Sequence, residues 1–488
     1  MMIWLALDIG TTGVKAALIR VQGDALHLVR SAGHEIPTAT EEGGIIEQSA
    51  RDWWAAACAA ARDLSPVEAE AIAITGQMQD LILLDADGEP IRPVILYSDT
   101  RAHAEADWIN EQIGRERLAA ITGYDQEAGG LLAKLRWLMA HDPTALNNAA
   151  HLLMGGADVI ANRLTDHFAT DLTTAGTTGL LDLEARDWLP REVLEPMGLA
   201  HLARLLPALV AGGAQIGVVG RMGALAMGVR EGIPVHLGPG DAGAATLGIG
   251  AGMPGKPYAY IGASGWVGYT STQRGDPAQG VWTLAHPDPG LVICVAPLLT
   301  AGGNLDWARQ AFGFPDHDTM IETALGADPT HLLYLPYLNG ERSPIKDPFA
   351  RGVFVGLNDR HTSADLARAV LEGVAFAYRH GVDALVREPV ESLAVTGGGA
   401  RSGGLVGLIA DVTGLPVSIP DDAASTGLRG AVLAARVARG ERAGWHLADA
   451  PVAAAFQPDD SHQALYERKY AWFREAYPAL QGLFRKMA

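Results

Sequence analysis

Two aspartates, Asp8 and Asp241, each follow a hydrophobic run and stand beside glycines. Asp8 opens the turn Asp8–Gly13, and Asp241 follows the turn Gly238–Gly240. A carboxylate at the tip of a buried strand can bind a metal ion or accept a proton, and neighbouring glycines let backbone N–H groups approach a phosphate. The two segments therefore predict a phosphoryl-transfer site, with one carboxylate for a metal and the other for the acceptor hydroxyl.

These carboxylates need strands that carry them to the edge of a sheet. Residues 3–20 read as strand, tight turn and strand, which predicts a β-hairpin, and residues 71–75 form a short apolar run typical of a buried strand. The same strand, glycine turn and strand pattern restarts at 258–268, which predicts an internal duplication. The glycine-rich segment 246–256 contains Pro254 and fits a domain junction.

Aromatic and apolar residues near the end of the chain recur at alternating spacings of about four and three, which is typical of one helix face. They are Tyr466, Tyr470, Phe473, Tyr477, Leu480 and Phe484. We expect an amphipathic helix that packs on the body of the protein, with no role in chemistry.

Composition bounds the class of protein. With 488 residues, 48% of them hydrophobic, the chain exceeds the ~250–300 residues at which single cores stop growing, so two major domains are expected. A formal net charge of -19 without a Lys/Arg run disfavours nucleic acid and anionic membranes as partners. Two cysteines, Cys58 and Cys294, exclude a disulfide scaffold. No long apolar run or basic signal region is present, which predicts a cytoplasmic protein.

Each aspartate also has an alternative, purely structural interpretation. The Asp8 turn could be an ordinary hairpin turn, or a phosphate clamp in which backbone N–H groups and the hydroxyls of Thr11 and Thr12 hold phosphates while Asp8 holds hydrated Mg²⁺. Asp241 could only cap a helix. As a functional group it would lie ionised at a helix N-terminus, orient an alcohol and accept its proton late in the transfer.

Further polar or glycine-rich segments leave predicted strand ends. Gly397–Gly399 lies between a strand and a helix, as a nucleotide loop would, but a dinucleotide fold is disfavoured because Ser402 replaces the third glycine of that motif. No P-loop motif exists. Gln77–Gln79 and Asp99 could bind a polyol or could be loop surface.

Taken together, the motifs resemble those of the FGGY family of carbohydrate kinases, and they look closest to its xylulokinase-like branch. Gly352–Leu357 followed by Asp365–Gly373 fits the family's C-terminal signature. Pro336–Pro344 is similar to its PYLxGERxP segment, and Ala301–Trp307 resembles its AGG-x-LDW segment. The N-terminal signature is met in part, since Lys134 fits within KLxWL while Leu131 replaces the usual Pro, Ser or Thr. The similarity extends from Leu5 to about residue 440.

The resemblance implies an α/β fold of two actin-like (ribonuclease-H-like) domains with a central cleft. Residues 1–246 would hold the sugar site, the first phosphate loop and the base. Residues 247–488 would hold the nucleotide site, the second phosphate loop and the C-terminal helix. The implied reaction transfers the γ-phosphoryl group of ATP, with Mg²⁺, to a pentulose such as D-xylulose or to another ketose or alditol.

The resemblance also implies roles for individual residues. Asp241 matches the catalytic base, and Asp8 matches the metal-associated carboxylate, with Asp241 beside the metal as well. The expected nucleotide-binding residues are Thr11, Thr12, Gly262, Ser264, Gly302, Gly303, Gly398 and Gly399. The expected substrate residues are Gln77, Met78, Gln79, Tyr97, Asp99 and Asp241. ATP and a small sugar or polyol are the expected partners, and the chain could also form a homodimer.

Several residues depart from the xylulokinase-like pattern near the sugar. Gln79 stands where the branch has the His that contacts the ketopentose, Ala242 where it has Asn, and Tyr97 where it has Trp. Gly155–Asp158 replaces its PKDY segment. These departures predict that D-xylulose is a poor substrate or one of several. An alternative of another class is a catalytically silent nucleotide-binding sensor or scaffold, against which the retained Asp241 argues.

Overall fold

The chain divides into two compact units in the computed structural model, which describes residues 2–421, 425–446 and 452–487. Unit 1 comprises Met1–Gly252, Thr283–Ile293 and Ser425–Ala448. Unit 2 comprises Met253–Trp282, Cys294–Ala424 and Asp449–Ala488. The units are therefore discontinuous in sequence, and this differs from the single division after residue 246 that the sequence predicts.

The chain contains runs of consecutive strands, such as β1–β5 and β16–β19, and segments in which helices and strands alternate. The strands are β1 Met2–Ile9, β2 Gly13–Gln22, β3 Ala25–Glu35, β4 Ala39–Glu41, β5 Ile45–Gln48, β6 Ala71–Gly76, β7 Met78–Leu84, β8 Val94–Ile95, β9 His151–Gly155, β10 Ala169–Asp171, β11 Leu181–Asp182, β12 Asp187–Trp188, β13 Ala208–Val210, β14 Ala214–Val218, β15 Pro234–Leu237, β16 Tyr258–Ile261, β17 Gly265–Ser271, β18 Trp282–Ala285, β19 Val292–Leu298, β20 Leu333–Leu335, β21 Val353–Val355, β22 Leu393–Thr396, β23 Val417–Pro420 and β24 Val452–Phe456. The α-helices are α1 Ala50–Asp63, α2 His103–Ile113, α3 Arg115–Thr122, α4 Leu131–His141, α5 Pro143–Asn148, α6 Gly156–Thr165, α7 Leu172–Gly176, α8 Arg191–Leu194, α9 Arg221–Met227, α10 Asp241–Gly248, α11 Gly302–Ala311, α12 His317–Gly326, α13 Ser363–Leu385, α14 Gly403–Thr413, α15 Thr426–Ala438 and α16 Gln463–Met487.

The main sheet of unit 1 has the strand order β14-β15-β6-β1-β2-β3. The predicted hairpin is confirmed, because β1 and β2 are antiparallel with Asp8 opposite Lys15. The strands β1, β6 and β15 run parallel to one another, so their carboxyl ends lie at one edge of the sheet. Asp8, near the end of β1, and the turn that follows β15 and precedes Asp241 both lie at this edge.

Alternate residues of β1 face opposite sides of this sheet, as strand geometry requires. Trp4 packs with Leu428 and Ala431 of α15. Leu5 and its same-face neighbours pack in a separate core cluster that includes Trp53 of α1. Helix α15 therefore belongs to unit 1 because its apolar side is the cover for one face of that sheet.

Unit 2 repeats this architecture. Strands β24, β23, β22, β16, β17 and β19 follow one another across its sheet, in which β16 is antiparallel to β17 and parallel to β22. The strand pair β22 and β23 is also parallel, and β24 is antiparallel to β23. The order and direction of β14, β15, β6, β1 and β2 are the same in unit 1. The duplication that the glycine turns predict is therefore present at the level of topology.

The predicted C-terminal amphipathic helix is α16. Its aromatic residues Tyr466, Tyr470, Phe473 and Phe484 are buried. The Tyr470 hydroxyl donates to Asp383 of α13 at 2.6 Å. Among the helices that the structure describes, none is both long and apolar enough to cross a bilayer.

Candidate active site

Three parallel strands of unit 1 deliver polar residues to the same edge of the sheet. Asp8 lies opposite Thr75 in the register of β1 and β6. Gln77 follows β6 directly, and its backbone N–H donates to the Ile9 carbonyl at 2.8 Å. Asp241 is the first residue of α10, four residues beyond the end of β15. The two aspartates that the sequence selects thus share one edge of one sheet.

The turn that carries Asp241 is fixed by neighbouring main chain and side chains. The Gly238 N–H donates to the Ile74 carbonyl at 2.7 Å. The Thr75 hydroxyl donates to the Pro239 carbonyl, also at 2.7 Å. A Cβ at Gly240 would overlap the side chain of Met78 and approach the Thr174 hydroxyl to 2.6 Å. The close approach explains why glycine precedes Asp241.

Asp241 combines solvent contact with a raised pKa. Asp241 is an exposed residue, but neighbouring protein atoms crowd its carboxyl group. The resulting desolvation is the largest cause that raises its pKa to about 7. The charges of Asp8 and Asp171 raise the pKa further, while the N–H of Ala242 opposes them by donating to the carboxylate at 2.6 Å. A carboxylate of this pKa can accept a proton near neutral pH.

Asp8 is half-buried beside the start of α15. Burial raises its pKa, and the positive charge of Lys15 opposes that change. A Cβ at Gly427 would stand 3.0 Å from an Asp8 carboxylate oxygen, so the first turn of α15 passes close to the carboxyl group. The positive end of a helix dipole favours a negative charge in that position.

The first predicted phosphate turn is compact and partly open. The Gly10 N–H donates to the Gly13 carbonyl at 3.0 Å, which closes the turn between β1 and β2. Thr11 is half-buried and Thr12 is exposed. The buried Gln48 amide donates to the Thr11 carbonyl at 2.6 Å and accepts from the Gln77 amide at 3.2 Å. Gln48 therefore connects this turn with the predicted sugar residues, and the sequence analysis did not select it.

The predicted sugar residues lie on or beside β7. Gln77 and Gln79 are buried, and the Gln77 Oε1 and Gln79 Nε2 atoms have no hydrogen-bond partner among the described residues. Met78 begins β7 and touches the site of Gly240, whereas Tyr97 is exposed. These residues follow the end of β6, as the sequence analysis placed them, and 78–80 also begin the next strand, β7. Met78 pairs with Gly155 of β9, and the register shifts between Met78 and Ile82. Buried amide atoms without partners are sites that a substrate hydroxyl or a water can satisfy.

Asp99 has a different environment. It is fully buried, and its carboxylate accepts from the Arg101 guanidinium at 2.7 Å and from the Ile46 N–H at 2.7 Å. Arg101 also donates to Glu47 at 2.8 Å. The Asp99 carboxylate therefore already accepts hydrogen bonds from protein groups. A hydrogen bond from a sugar hydroxyl to Asp99 stays a prediction.

The sequence analysis missed Asp171, which supports the Asp241 turn. Asp171 caps α7, accepts from the Thr173 N–H at 2.8 Å and also accepts from the Gly240 N–H. The signal in the sequence was an Asp directly before Leu-Thr-Thr, which is typical of a helix N-cap. Nothing in that pattern indicates the distant Gly240.

In unit 2, the Gly262–Ser264 turn joins β16 to β17. The Gly262 carbonyl accepts from the Gly302 N–H, and the Ala263 carbonyl accepts from the Gly303 N–H, each at 2.9 Å. The start of α11 is therefore held against this turn, and Ser264 is exposed beside it. Backbone N–H groups at a tight turn and at a helix start are suitable donors for phosphate oxygens.

The second glycine segment of unit 2 follows β22. Gly397 has φ +91, and a Cβ there would meet the Ile261 carbonyl at 2.6 Å. A Cβ at Gly399 would overlap the Ile261 side chain, whereas a Cβ at the exposed Gly398 would meet no atom within 4 Å. Gly397 and Gly399 are thus needed for close packing on β16, and Gly398 is the open position of the three.

Metal-binding capacity at the edge of unit 1 rests on two carboxylates. Among residues 2–421, 425–446 and 452–487, no group of three or more His, Cys, Asp or Glu side chains is arranged to hold a metal. Asp8 and Asp241 are a pair whose mutual repulsion a cation would relieve. Mg²⁺ in phosphoryl-transfer sites is commonly held by one or two carboxylates together with phosphates and waters, so the pair fits that ion.

Comparisons with known proteins cover nearly the whole chain. Residues 3–248 match the N-terminal domain of the FGGY family of carbohydrate kinases, and residues 258–439 match its C-terminal domain. The xylulose kinase of Escherichia coli (strain K12) is 31% identical over 98% of this chain and 99% of that protein.

Solved structures agree with the sequence comparison. A ligand-bound xylulose kinase from Lactobacillus acidophilus has a TM-score of 0.92 and 25% identity, with 100% of both chains covered. A gluconate kinase from the same organism has the same score, identity and coverage. The predicted α/β fold with two actin-like domains is confirmed by this agreement. Equal similarity to two kinases named for different substrates means that the backbone alone does not identify the acceptor.

Proposed function

Because the chain belongs to the FGGY family of carbohydrate kinases, we propose that it transfers the γ-phosphoryl group of ATP to a hydroxyl of a pentulose such as D-xylulose. The observation that carries this proposal is the shared sheet edge at which the charge of Asp8 raises the pKa of the solvent-accessible Asp241. The similarity to xylulose kinases over nearly the full chain supports the choice of sugar class.

Asp241 acts as the base in the proposed reaction. The sugar oxygen forms a bond to the γ-phosphorus while the bond from that phosphorus to the β–γ bridging oxygen breaks, and ADP leaves. The hydroxyl proton passes to a carboxylate oxygen of Asp241. In a loose phosphoryl transition state the proton moves late, so orientation of the hydroxyl is the main contribution of this side chain.

Asp8, together with Asp241, would hold Mg²⁺. When bound, the ion would neutralise charge on the phosphate oxygens. Thr11 and Thr12 in unit 1, and Gly262, Ser264, Gly302 and Gly303 in unit 2, are proposed to bind phosphates through N–H and hydroxyl groups. Gly398 and Gly399 are proposed to lie against the adenosine. An ATP-dependent reaction of this kind also favours the cytoplasm as its location.

The sugar would be bound by the amide side chains of Gln77 and Gln79, with Met78 and Tyr97 as its apolar and aromatic contacts. Asp99 is proposed to contribute through Arg101 and the neighbouring main chain. A second candidate function is phosphorylation of a different ketose or of an alditol. The amide of Gln79, in place of a titratable ring, and the methyl group of Ala242 beside the base favour that candidate.

Phosphorylation by the purified protein across a panel of ketoses, alditols and aldonates, with Mg²⁺ and ATP, tests the proposal. We expect sugar-dependent ADP formation that is greatest with a neutral ketose or alditol and is reduced by about a hundredfold or more in Asp241→Asn. Nucleotide binding without ADP formation on any member of the panel would instead support a silent sensor or scaffold.

A further inference from the structure

Two buried charged residues lie behind the proposed sugar residues without belonging to the predicted site. Lys134 of α4 and Asp80 of β7 are both 0% exposed. Lys134 is 54 positions from Asp80 in the chain (134 − 80), so only the fold brings them to the same region. The charge of each acts on the other, and the charge of Asp241 also acts on Asp80. The pair is therefore within electrostatic reach of the proposed base.

Lys134 binds main-chain groups of both sugar-site segments. Its ammonium group donates to the Gln79 carbonyl at 3.2 Å and to the Leu96 carbonyl at 2.6 Å. Gln79 carries an amide with an unpaired buried Nε2, and Leu96 directly precedes Tyr97. One side chain thus connects the two segments that carry Gln79 and Tyr97.

Asp80, which directly follows Gln79, also binds the segment that carries Tyr97. Its Oδ1 accepts from the Tyr97 N–H at 3.0 Å. The backbone of Gln79 has φ 65, a left-handed conformation that a residue with a side chain rarely adopts without support. The bond from Lys134 to the Gln79 carbonyl supplies support at that residue.

A purely structural role does not account well for this pair. Burying a lysine and a carboxylate carries a desolvation cost that apolar residues of similar volume would avoid. Burial raises the pKa of Asp80 and lowers the pKa of Lys134, while the opposite charge of each partner opposes its shift. Asp80 and Lys134 carry opposite charges when both are ionised, so the ionised pair adds no net charge to the region around Asp241.

We propose that Lys134 and Asp80 are positioning residues that hold Gln79 and Tyr97 in the geometry that binds the acceptor sugar. The inference rests on the proposed function, because it assumes that Gln79 and Tyr97 contact the sugar. It assigns to the pair an effect on sugar binding that is separate from nucleotide binding.

Four variants test the roles of the pair. Asp80→Ala removes the acceptor for the Tyr97 N–H, whereas Asp80→Asn keeps a carbonyl oxygen in that place and removes only the charge. Lys134→Met removes the bonds to both carbonyls. The double variant Lys134→Met with Asp80→Asn leaves no unpaired charge buried, and so keeps the test available if Lys134→Met alone does not fold.

Lys469→Met is a matched control in unit 2. Lys469 is also fully buried, and it donates to Glu372 and to the Thr330 carbonyl. Its loss is expected to lower the melting temperature while the KM for sugar stays within about twofold of the wild-type value.

Steady-state kinetics with the best sugar of the panel give the first measurement. We expect Asp80→Ala, Lys134→Met and the double variant to raise the KM for sugar by about tenfold or more, a factor that corresponds to about 1.4 kcal/mol, with the KM for ATP within twofold. Asp80→Asn should raise the KM for sugar less than threefold. Folded variants with an unchanged KM for sugar, or with equal increases in both KM values, would overturn the proposal.

Amide hydrogen exchange gives a second measurement that needs no activity. Exchange in peptides covering 77–80 and 94–98 should accelerate in Asp80→Ala and Lys134→Met, and should be unchanged in Lys469→Met. If the wild-type protein phosphorylates no sugar, the proposed function fails, and exchange still reports whether the pair holds these segments. Unchanged exchange in the folded variants would overturn the proposal even if the kinase activity is present.

Discussion

Asp8 and Asp241 lie at one edge of the unit 1 sheet, and the negative charge of Asp8 is a cause of the raised pKa of Asp241. The chain positions that supply them are 233 residues apart (241 − 8). Parallel pairing of β1, β6 and β15 brings them together, because parallel strands end at the same edge. The relationship gives the two carboxylates different proposed tasks, one toward metal and phosphate and one toward the acceptor hydroxyl.

Asp241→Asn should reduce kcat by about a hundredfold to ten-thousandfold, which is the usual contribution of a positioned base. The amide keeps the size of the side chain but cannot accept the proton. Calorimetric titration should show ATP binding close to wild type. A kcat within a few-fold of wild type would remove Asp241 from the proton transfer.

The pH dependence of kcat/KM should show an acid limb. Asp241 accepts a proton only when ionised, and its raised pKa of about 7 means that kcat/KM falls as the pH drops through neutrality. A bound cation would favour the ionised form and lower that pKa, so saturating Mg²⁺ and ATP should move the limb to lower pH. Rate profiles measured at low and at saturating nucleotide check the direction, and a limb that moves to higher pH would contradict it.

Gly398→Ala and Gly399→Ala should have different effects, the first on ATP binding and the second on stability. The new methyl group at 398 meets no atom within 4 Å, so the melting temperature should be unchanged while the KM for ATP rises if adenosine lies there. At 399 it would overlap the Ile261 side chain and strain the packing on β16, an overpacking cost of about 1–3 kcal/mol. Thermal unfolding and ATP kinetics on both variants give the result. A Gly398→Ala protein with an unchanged KM for ATP would argue against that contact.

Gly430→Ala should destabilise unit 1. Helices α10 and α15 approach so closely that a Cβ at Gly430 would overlap the Ala244 carbonyl group, and backbone cannot move aside as a side chain can. We expect a loss of about 1–3 kcal/mol in the free energy of unfolding. Gly482→Ala is the matched control, since its site in α16 is open and alanine is the better helix former by about 0.8–1.0 kcal/mol. Urea unfolding of both variants checks the contrast, which fails if the two shift alike.

The double change Gln79→His with Ala242→Asn should raise kcat/KM for D-xylulose relative to the best native substrate. It restores the residues usual in the xylulokinase-like pattern, and a site that pairs a substrate hydroxyl discriminates more strongly than one lacking the partner. Kinetics on the sugar panel for both proteins provide the comparison. If the unmodified protein already prefers D-xylulose more than about tenfold, or 1.4 kcal/mol, over every other sugar tested, this specificity argument is wrong.

Local patterns in the sequence were sufficient to predict several secondary-structure elements and to recognise the family. The hairpin 3–20, the strand at 71–75 and the C-terminal helix follow from side-chain periodicity and glycine turns, which depend only on near neighbours in the chain. The family resemblance rests on contiguous motifs and agrees with the matches over 3–248 and 258–439.

Tertiary structure alone decided which distant residues support those motifs. Asp171 supports the Gly240 turn, Lys134 connects Gln79 with Leu96, and α15 joins unit 1 although it follows most of unit 2 in the chain. An N-cap aspartate, a lysine in a helix and an amphipathic helix look alike in sequence whatever they contact. Their partners depend on strand order and on close packing between helices, and neither is encoded in a window of adjacent residues.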